Sequence, residues 1–155
     1  MATPKLFPHP LGVLLFNRPE YARRVLESIA NQTLPVDPSK LYISIDGYSG
    51  SKVEHQRKSD HTGAIEAMAR EFFPTAHIRR FESNIGFTEV NWYLEERMRT
   101  DHPRATWIGF FEEDYVLAPD YLAIVTALAA KADADNISLT MQLPESLAAQ
   151  DGNEG

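Results

Sequence analysis

Eight residues near the end of the chain decide its fold: Trp107-Ile108-Gly109-Phe110-Phe111-Glu112-Glu113-Asp114. The apolar run from 107 to 111 predicts a buried β-strand. It ends in three consecutive carboxylates, whose burial is costly unless a cation or hydrogen bonds compensate their charge. In open α/β sheets, ligands bind at the carboxyl ends of the strands. The pattern therefore predicts a site for a divalent cation and a polyphosphate ligand.

Apolar runs of the β type alternate with helical patterns along the rest of the chain. Besides the acidic strand, we expect strands over residues 11–16, 41–45, 76–81 and 136–141. Helices are predicted from Pro19, over residues 64–73, from Ser83-Asn84-Ile85-Gly86 onward and from Pro119, and the polar stretch 48–60 reads as a loop. The order βαβαβαβαβ predicts a three-layer α/β/α fold, a mostly parallel sheet with helices on both faces.

The spacing of apolar residues also predicts which face of each late helix packs on the sheet. For the helix after Gly86, the inward residues are Phe87, Val90, Leu94 and Met98. For the helix after Pro119, they are Tyr121, Ile124, Val125 and Leu128.

Length, charge and composition limit the class of protein. The 155 residues suit one domain, which we expect over residues 1–143, with a flexible tail over 144–155. The net charge of −7 argues against a nucleic-acid partner. No apolar stretch approaches the ~20 residues of a membrane span. The absence of cysteine excludes disulfides and thiolate metal sites, and it fits a reducing, cytoplasmic setting.

Polar residues follow three of the predicted strands at their carboxyl ends. Asn17 and Arg18 follow the first, Asp46 follows the second, and the three carboxylates 112–114 follow the fourth. These ends meet at one rim of a parallel sheet, where carboxylates and diphosphate oxygens would suit Mg²⁺ or Mn²⁺. The alternative is that some of these groups, Asp46 first, cap helices or face solvent.

Two further features are weaker. Gly86 would allow the backbone to approach a ligand closely, and the helix that follows would offer its N-terminus to an anion, although an ordinary capped turn explains the same residues. Arg79 and Arg80 lie on the third strand, so one side chain should face a partner and the other solvent, unless both are surface charges.

Several enzyme classes lack their motifs here. The five histidines have no zinc-ligand spacing, and there is no Gly-x-Ser-x-Gly elbow, P-loop or Gly-x-Gly-x-x-Gly turn. A phosphoreceiver domain would need acidic residues after the first strand and a lysine after the fifth, and here neither Asn17 nor the stretch 136–142 supplies them. A nucleotidyltransferase is a closer competitor, but the stretch 17–20 lacks the glycines of its opening loop.

Four segments occur in an order known from one family: Leu-Leu-Phe-Asn-Arg-Pro (14–19), Ile-Asp-Gly (45–47), Ser-Asn-Ile-Gly (83–86) and Phe-Glu-Glu-Asp-Tyr-Val-Leu-Ala-Pro-Asp-Tyr-Leu (111–122). Together they resemble the nucleotide-sugar half of a GT-A glycosyltransferase, close to the N-acetylglucosaminyltransferase I type and related family 2 enzymes. The match covers about residues 11 to 130. It implies a GT-A fold, the Rossmann-like fold of nucleotide-diphosphosugar transferases.

The resemblance also implies a role for each matched residue. Asp114 would coordinate Mn²⁺ or Mg²⁺, Glu113 would contact the ribose or donor sugar, and Glu112 the nucleoside. Asp46 would accept a hydrogen bond from uracil. The remaining donor-binding residues would be Phe16, Asn17 and Arg18 around the base and ribose, with Asn84 and Gly86 in the turn. The implied reaction is metal-dependent transfer of a hexosyl or N-acetylhexosaminyl group from a nucleotide-diphosphate sugar, with UDP as the expected nucleotide.

The chain differs from this family in two places. The middle acidic residue is Glu113 rather than aspartate, and only about forty residues follow Asp114, where the family carries its acceptor site and general base. Neither Glu145 nor Asp151 stands in a recognisable base context, so the catalytic base, the acceptor and the stereochemical outcome stay open. Four alternatives remain open: a truncated enzyme, a donor-binding half completed by a partner or homodimer, a minimal transferase, and a non-catalytic GT-A-like binding module.

Overall fold

The computed structural model describes residues 5–56 and 58–134. These residues contain a four-stranded sheet of order β3-β2-β1-β4, and all its pairings are parallel. The strands are β1 (Leu11–Leu15), β2 (Leu41–Ile45), β3 (His77–Arg80) and β4 (Gly109–Glu112). The predicted parallel α/β sheet is therefore confirmed, while the expected strand 136–141, the tail 144–155, Glu145 and Asp151 lie outside the described residues.

Five α-helices connect or follow the strands: α1 (Pro19–Ala30), α2 (Val53–Gln56), α3 (Thr62–Phe72), α4 (Phe87–Asp101) and α5 (Tyr121–Ala134). A 3-10 turn, Pro38–Lys40, leads into β2. Several bounds differ from the sequence prediction: β1, β3 and α3 differ by one or two residues at an end, the polar loop contains the short α2, and β4 starts at Gly109 and ends on Glu112. The strand β4 is also less buried than predicted, because Phe111 is its one buried residue. Within the described residues, no helix has the length and apolar character needed to cross a bilayer.

Helices cover both faces of the sheet, as predicted. Val13 and Leu15 of β1 belong to the larger core, which α1, α3 and α5 cover. Leu14 points to the opposite face, where it joins a smaller core under α4. Successive strand residues alternate between faces, so a strand buried on both sides needs the continuous apolar run that β1 has. The result is a three-layer arrangement with the carboxyl ends of the strands free at one rim.

The predicted inward face of α4 is correct except at its first residue. Val90, Leu94 and Met98 are buried, whereas Phe87 is 50% exposed. Phe87 begins the helix directly after Gly86, and burial on this helix starts one turn later, at Val90.

The predicted inward face of α5 is correct at Tyr121 and Val125, which pack against the larger core, and wrong at Ile124 and Leu128. Leu122, Ala129 and Ala132 are buried, while Ile124 and Leu128 are 50% and 40% exposed. Apolar residues surround this helix almost completely, so their spacing does not define one face. The orientation instead comes from a buried amide in the segment that follows α1.

That amide belongs to Gln32, just after α1. Its Oε1 accepts a hydrogen bond from the Leu122 N–H at 2.9 Å, and its Nε2 donates to the Ala118 carbonyl at 2.7 Å. These bonds fix the first turn of α5 with Leu122 toward the core.

This orientation predicts unequal effects for two truncations on one helix. Leu122→Ala removes a fully buried side chain and should lower the free energy of unfolding by about 2–5 kcal/mol. Ile124→Ala removes an exposed one and should change it by less than about 1 kcal/mol. Urea unfolding of both variants measures the difference, and a larger loss for Ile124→Ala would restore the face predicted from sequence.

Candidate functional site

The carboxyl ends of three strands meet at one rim of the sheet. Leu15 pairs with Ile45, and Leu14 pairs with Glu112, so the residues that follow these strands are neighbours. The rim therefore brings together the stretch 16–18, Asp46 and the carboxylates 112–114, as the alternation of elements predicts.

Glu113 is buried at this rim and is held by the end of β1. Only 4% of the residue is exposed. Its Oε2 accepts a hydrogen bond from the Phe16 N–H at 3.0 Å, and its Oε1 accepts one from Arg18 Nε at 2.5 Å. The charged donor compensates a carboxylate that would otherwise be expensive to bury.

Arg18 carries a permanent positive charge to the same place. Burial alone would lower the pKa of its guanidinium, but the hydrogen bond and charge of Glu113, with the charge of Asp114, raise the pKa above its ordinary value. The guanidinium also lies 4.6 Å from the centre of the Tyr21 ring, a cation–π contact one helical turn away. Tyr21 was not among the predicted site residues, although a position three residues after Arg18 places the two side chains next to each other on a helix.

The carboxylates on either side, those of Glu112 and Asp114, have fewer protein partners than Glu113. The Asp114 side chain is 14% exposed, and its Oδ2 lies 3.9 Å from Arg18 Nη2, beyond hydrogen-bonding distance. In the described part of the chain, neither it nor the Glu112 carboxylate accepts a hydrogen bond from a protein donor. Burial, and then the negative charge of Asp114, raise the pKa of Glu112. Both groups would gain from a cation placed between or beside them.

Asp46 has a different environment, because its carboxylate accepts four hydrogen bonds from the chain. Oδ1 accepts from the N–H groups of Gly47 at 2.8 Å and Ile85 at 2.9 Å. Oδ2 accepts from Asn84 Nδ2 at 2.8 Å and from the Gly86 N–H at 3.1 Å. Asp46 therefore organises the turn before α4, and the uracil contact that the resemblance implies stays a prediction.

The packing of this turn requires glycine at two positions. A Cβ atom on Gly47 would lie 2.3 Å from the backbone carbon of Ser83, so no other residue fits without moving the chain. Gly86 has φ +89°, in the region that favours glycine. Gly86 was among the predicted donor-binding residues and Gly47 was not. The close approach of Gly47 to the backbone of Ser83 joins segments far apart in sequence, so no local pattern reveals it.

Asn17 also connects separate segments. It is 7% exposed, its Nδ2 donates to the Ser59 carbonyl at 2.8 Å, and its Oδ1 accepts from the His61 N–H at 2.6 Å. The residue at the N-cap of α1 is Arg18, which makes no side-chain cap hydrogen bond, so Asn17 does not cap this helix. Asn17 instead fastens the loop over 48–60 to the rim.

The rim carboxylates that accept no hydrogen bond could hold a cation only if a bound ligand completed its coordination. Within the described ranges, no group of three or more His, Cys, Asp or Glu side chains is arranged to hold a metal ion. Glu113 and Asp46 already accept hydrogen bonds, which leaves Asp114 and Glu112. One or two carboxylates with phosphate oxygens and water are typical of Mg²⁺ sites, so the rim fits that kind of binding and not an all-protein cage.

The hydrogen bonds of Asp46 lead to a stability prediction. Asp46→Ala leaves three backbone N–H groups without their acceptor and removes one of the two acceptors of Asn84 Nδ2, so it should cost about 2–4 kcal/mol of unfolding free energy. The control, Glu96→Ala, removes an exposed carboxylate in the middle of α4 and should cost less than about 0.5 kcal/mol. Chemical denaturation compares the two, and equal losses would show that the four bonds contribute nothing specific.

Comparison with known proteins supports the fold. No protein-family model matches the sequence, and no curated protein matches it. Among solved structures, the chain resembles the crystal structure of S. aureus TarS, a glycosyltransferase with a GT-A-like fold, at a TM-score of 0.55 and 15% sequence identity. The likeness covers 80% of this chain, which spans about a fifth of TarS (20%). The described residues thus have a GT-A-like α/β fold, while the particular likeness to N-acetylglucosaminyltransferase I stays a prediction.

Proposed function

We propose that this chain is a metal-dependent glycosyltransferase, or the donor-binding domain of one, and that its rim binds a nucleotide-diphosphate sugar. One observation carries the proposal: the end of β1 neutralises the buried Glu113, while the neighbouring Asp114 and Glu112 accept no hydrogen bond from any donor among the described residues. In a GT-A-like sheet, this is the edge at which ligands of open α/β sheets bind.

The proposed division of roles follows from these contacts. Asp114 would bind Mn²⁺ or Mg²⁺ together with the diphosphate, and Glu112 would face the nucleoside side. A bound cation would supply Lewis-acid stabilisation of the departing nucleoside diphosphate. The chain itself holds Arg18 cationic next to this position, which adds a fixed positive charge where the leaving group's charge develops.

The turn and the loop would complete the donor pocket. Asp46 fixes Asn84 and Gly86, and Asn17 fixes the loop over 48–60, so both backbone segments are held at the rim before any ligand arrives. Such preorganisation lowers the entropic cost of binding. We keep UDP as the expected nucleotide, with a hexose or N-acetylhexosamine as the sugar. A homodimer and a cytoplasmic location remain predictions, while the acceptor and the general base stay open.

A second candidate is a non-catalytic module that binds a nucleotide sugar without transferring it. The observation in its favour is that three polar side chains expected to contact the donor, those of Asn17, Asp46 and Glu113, bond to the protein instead. Such a rim could hold its shape for binding alone.

A thermal-shift experiment tests donor binding. UDP-sugars with Mn²⁺ at one hundred times the Kd should stabilise the protein by about 2.7 kcal/mol. For a chain of this length, that corresponds to a rise in Tm of roughly 5–10 °C. Asp114→Asn should remove the Mn²⁺-dependent part of the shift.

Glu71→Gln is the matched control, because Glu71 is an exposed carboxylate on α3, away from the rim. It should keep the full shift. If no nucleotide diphosphate with Mn²⁺ raises the Tm of the unchanged protein, donor binding is wrong. Binding without hydrolysis or transfer of the sugar would favour the second candidate.

A further inference from the structure

A polar cavity lies away from the rim, between α4 and the β3 side of the sheet. We call it the β3 pocket, and its volume is about 190 Å³. Its polar lining comes from two strands and one helix: Tyr42 and Ser44 of β2, His77 and Arg79 of β3, Tyr93 and Arg97 of α4. None of these residues belongs to the rim, so the cavity is a separate feature.

The register of the sheet explains why these side chains converge. Tyr42 pairs with His77, and Ser44 pairs with Arg79, so all four project from the same face. The His77 ring stacks on the Tyr42 ring at 4.4 Å with an interplanar angle of 8°. The aromatic pair forms one wall, and α4 forms the opposite one.

The pocket is cationic although the chain has a net charge of −7. Arg97 Nε pairs with Asp101 Oδ2 at 2.9 Å, an oxygen that also accepts a hydrogen bond from the Tyr42 hydroxyl at 3.0 Å. Arg79 pairs with no carboxylate among the described residues, and its guanidinium lies 5.6 Å from the centre of the Phe81 ring. Two guanidinium groups with one compensating carboxylate leave a net positive charge at this opening.

Ser44 supplies an independent observation. The residue is 0% exposed, and its Oγ has no hydrogen-bond partner in the described structure. A buried hydroxyl without a partner costs roughly 1–3 kcal/mol, so native proteins almost always provide one. In this pocket, the missing partner would be an acceptor that enters from outside.

We propose that the β3 pocket binds a phosphate group, with Arg79 and Arg97 as charged donors and the Ser44 hydroxyl as a donor from the floor. A tetrahedral phosphate presents oxygens in several directions and carries close to two negative charges, so it suits two guanidinium groups and a hydroxyl that approach from different sides better than a planar, singly charged carboxylate does. Arginine is the residue that best matches such an anion. The phosphate could be free or part of a larger molecule, and the site is independent of donor binding at the rim.

Inorganic phosphate is the probe, compared with chloride and acetate at equal ionic strength. Phosphate should raise the Tm of the unchanged protein more than either other anion does, and it should shift the amide NMR signals of residues 42–44 and 77–79. Arg79→Gln should remove at least half of the extra Tm rise. Arg24→Gln makes the same charge change on an exposed site of α1 and should leave the rise intact.

Ser44→Ala separates an anion site from a cavity that merely holds water. Loss of the unpartnered hydroxyl should raise the Tm in phosphate-free buffer and weaken the response to phosphate. Asp114→Asn should keep the full response, because the rim is not involved.

Three results would overturn the proposal: no extra stabilisation by phosphate, equal stabilisation by acetate, or an undiminished phosphate response in both Arg79→Gln and Ser44→Ala. The last would assign the unpartnered hydroxyl to a buried water.

Discussion

The ion pair between Arg18 and Glu113 is the interaction on which the rim depends. It joins the residue after β1 to the residue after β4, and the Phe16 N–H adds a second bond to the same carboxylate. A carboxylate that is 4% exposed would otherwise carry a large desolvation cost. Because this pair neutralises the middle carboxylate, the acidic triplet can end β4 and still leave Asp114 and Glu112 for a ligand.

The same physical solution recurs at the neighbouring strand. Asp46 ends β2, is 5% exposed and is surrounded by donors from the turn 83–86. Each buried carboxylate thus connects two segments that are far apart in sequence. The loops of the rim are consequently held together by hydrogen bonds on a rigid parallel sheet, which is the kind of scaffold that holds a binding site in place. Asp114 and Glu112, which take no part in these hydrogen bonds, are the groups that we assign to the ligand.

The sequence was most informative where a pattern is local. The bounds of β2 were predicted to the residue, and the alternation of elements predicted the meeting of strand ends. On α5 it placed only two of four residues correctly, because apolar residues nearly surround that helix and a distant amide, Gln32, fixes its rotation. It also could not show that Asn17 and Asp46 bond to the chain, since their partners, such as Ser59 and Ile85, lie dozens of residues away.

The central claim is that Asp114, and not the braced Glu113 or Asp46, is the carboxylate that binds a cation. Paramagnetic broadening of amide NMR signals by Mn²⁺ in the presence of UDP tests it directly. We predict that the amides of residues 16–18 and 112–116 broaden first, and that Asp114→Asn abolishes this broadening. Broadening that persists in Asp114→Asn, or that centres on another part of the described chain, would contradict the account.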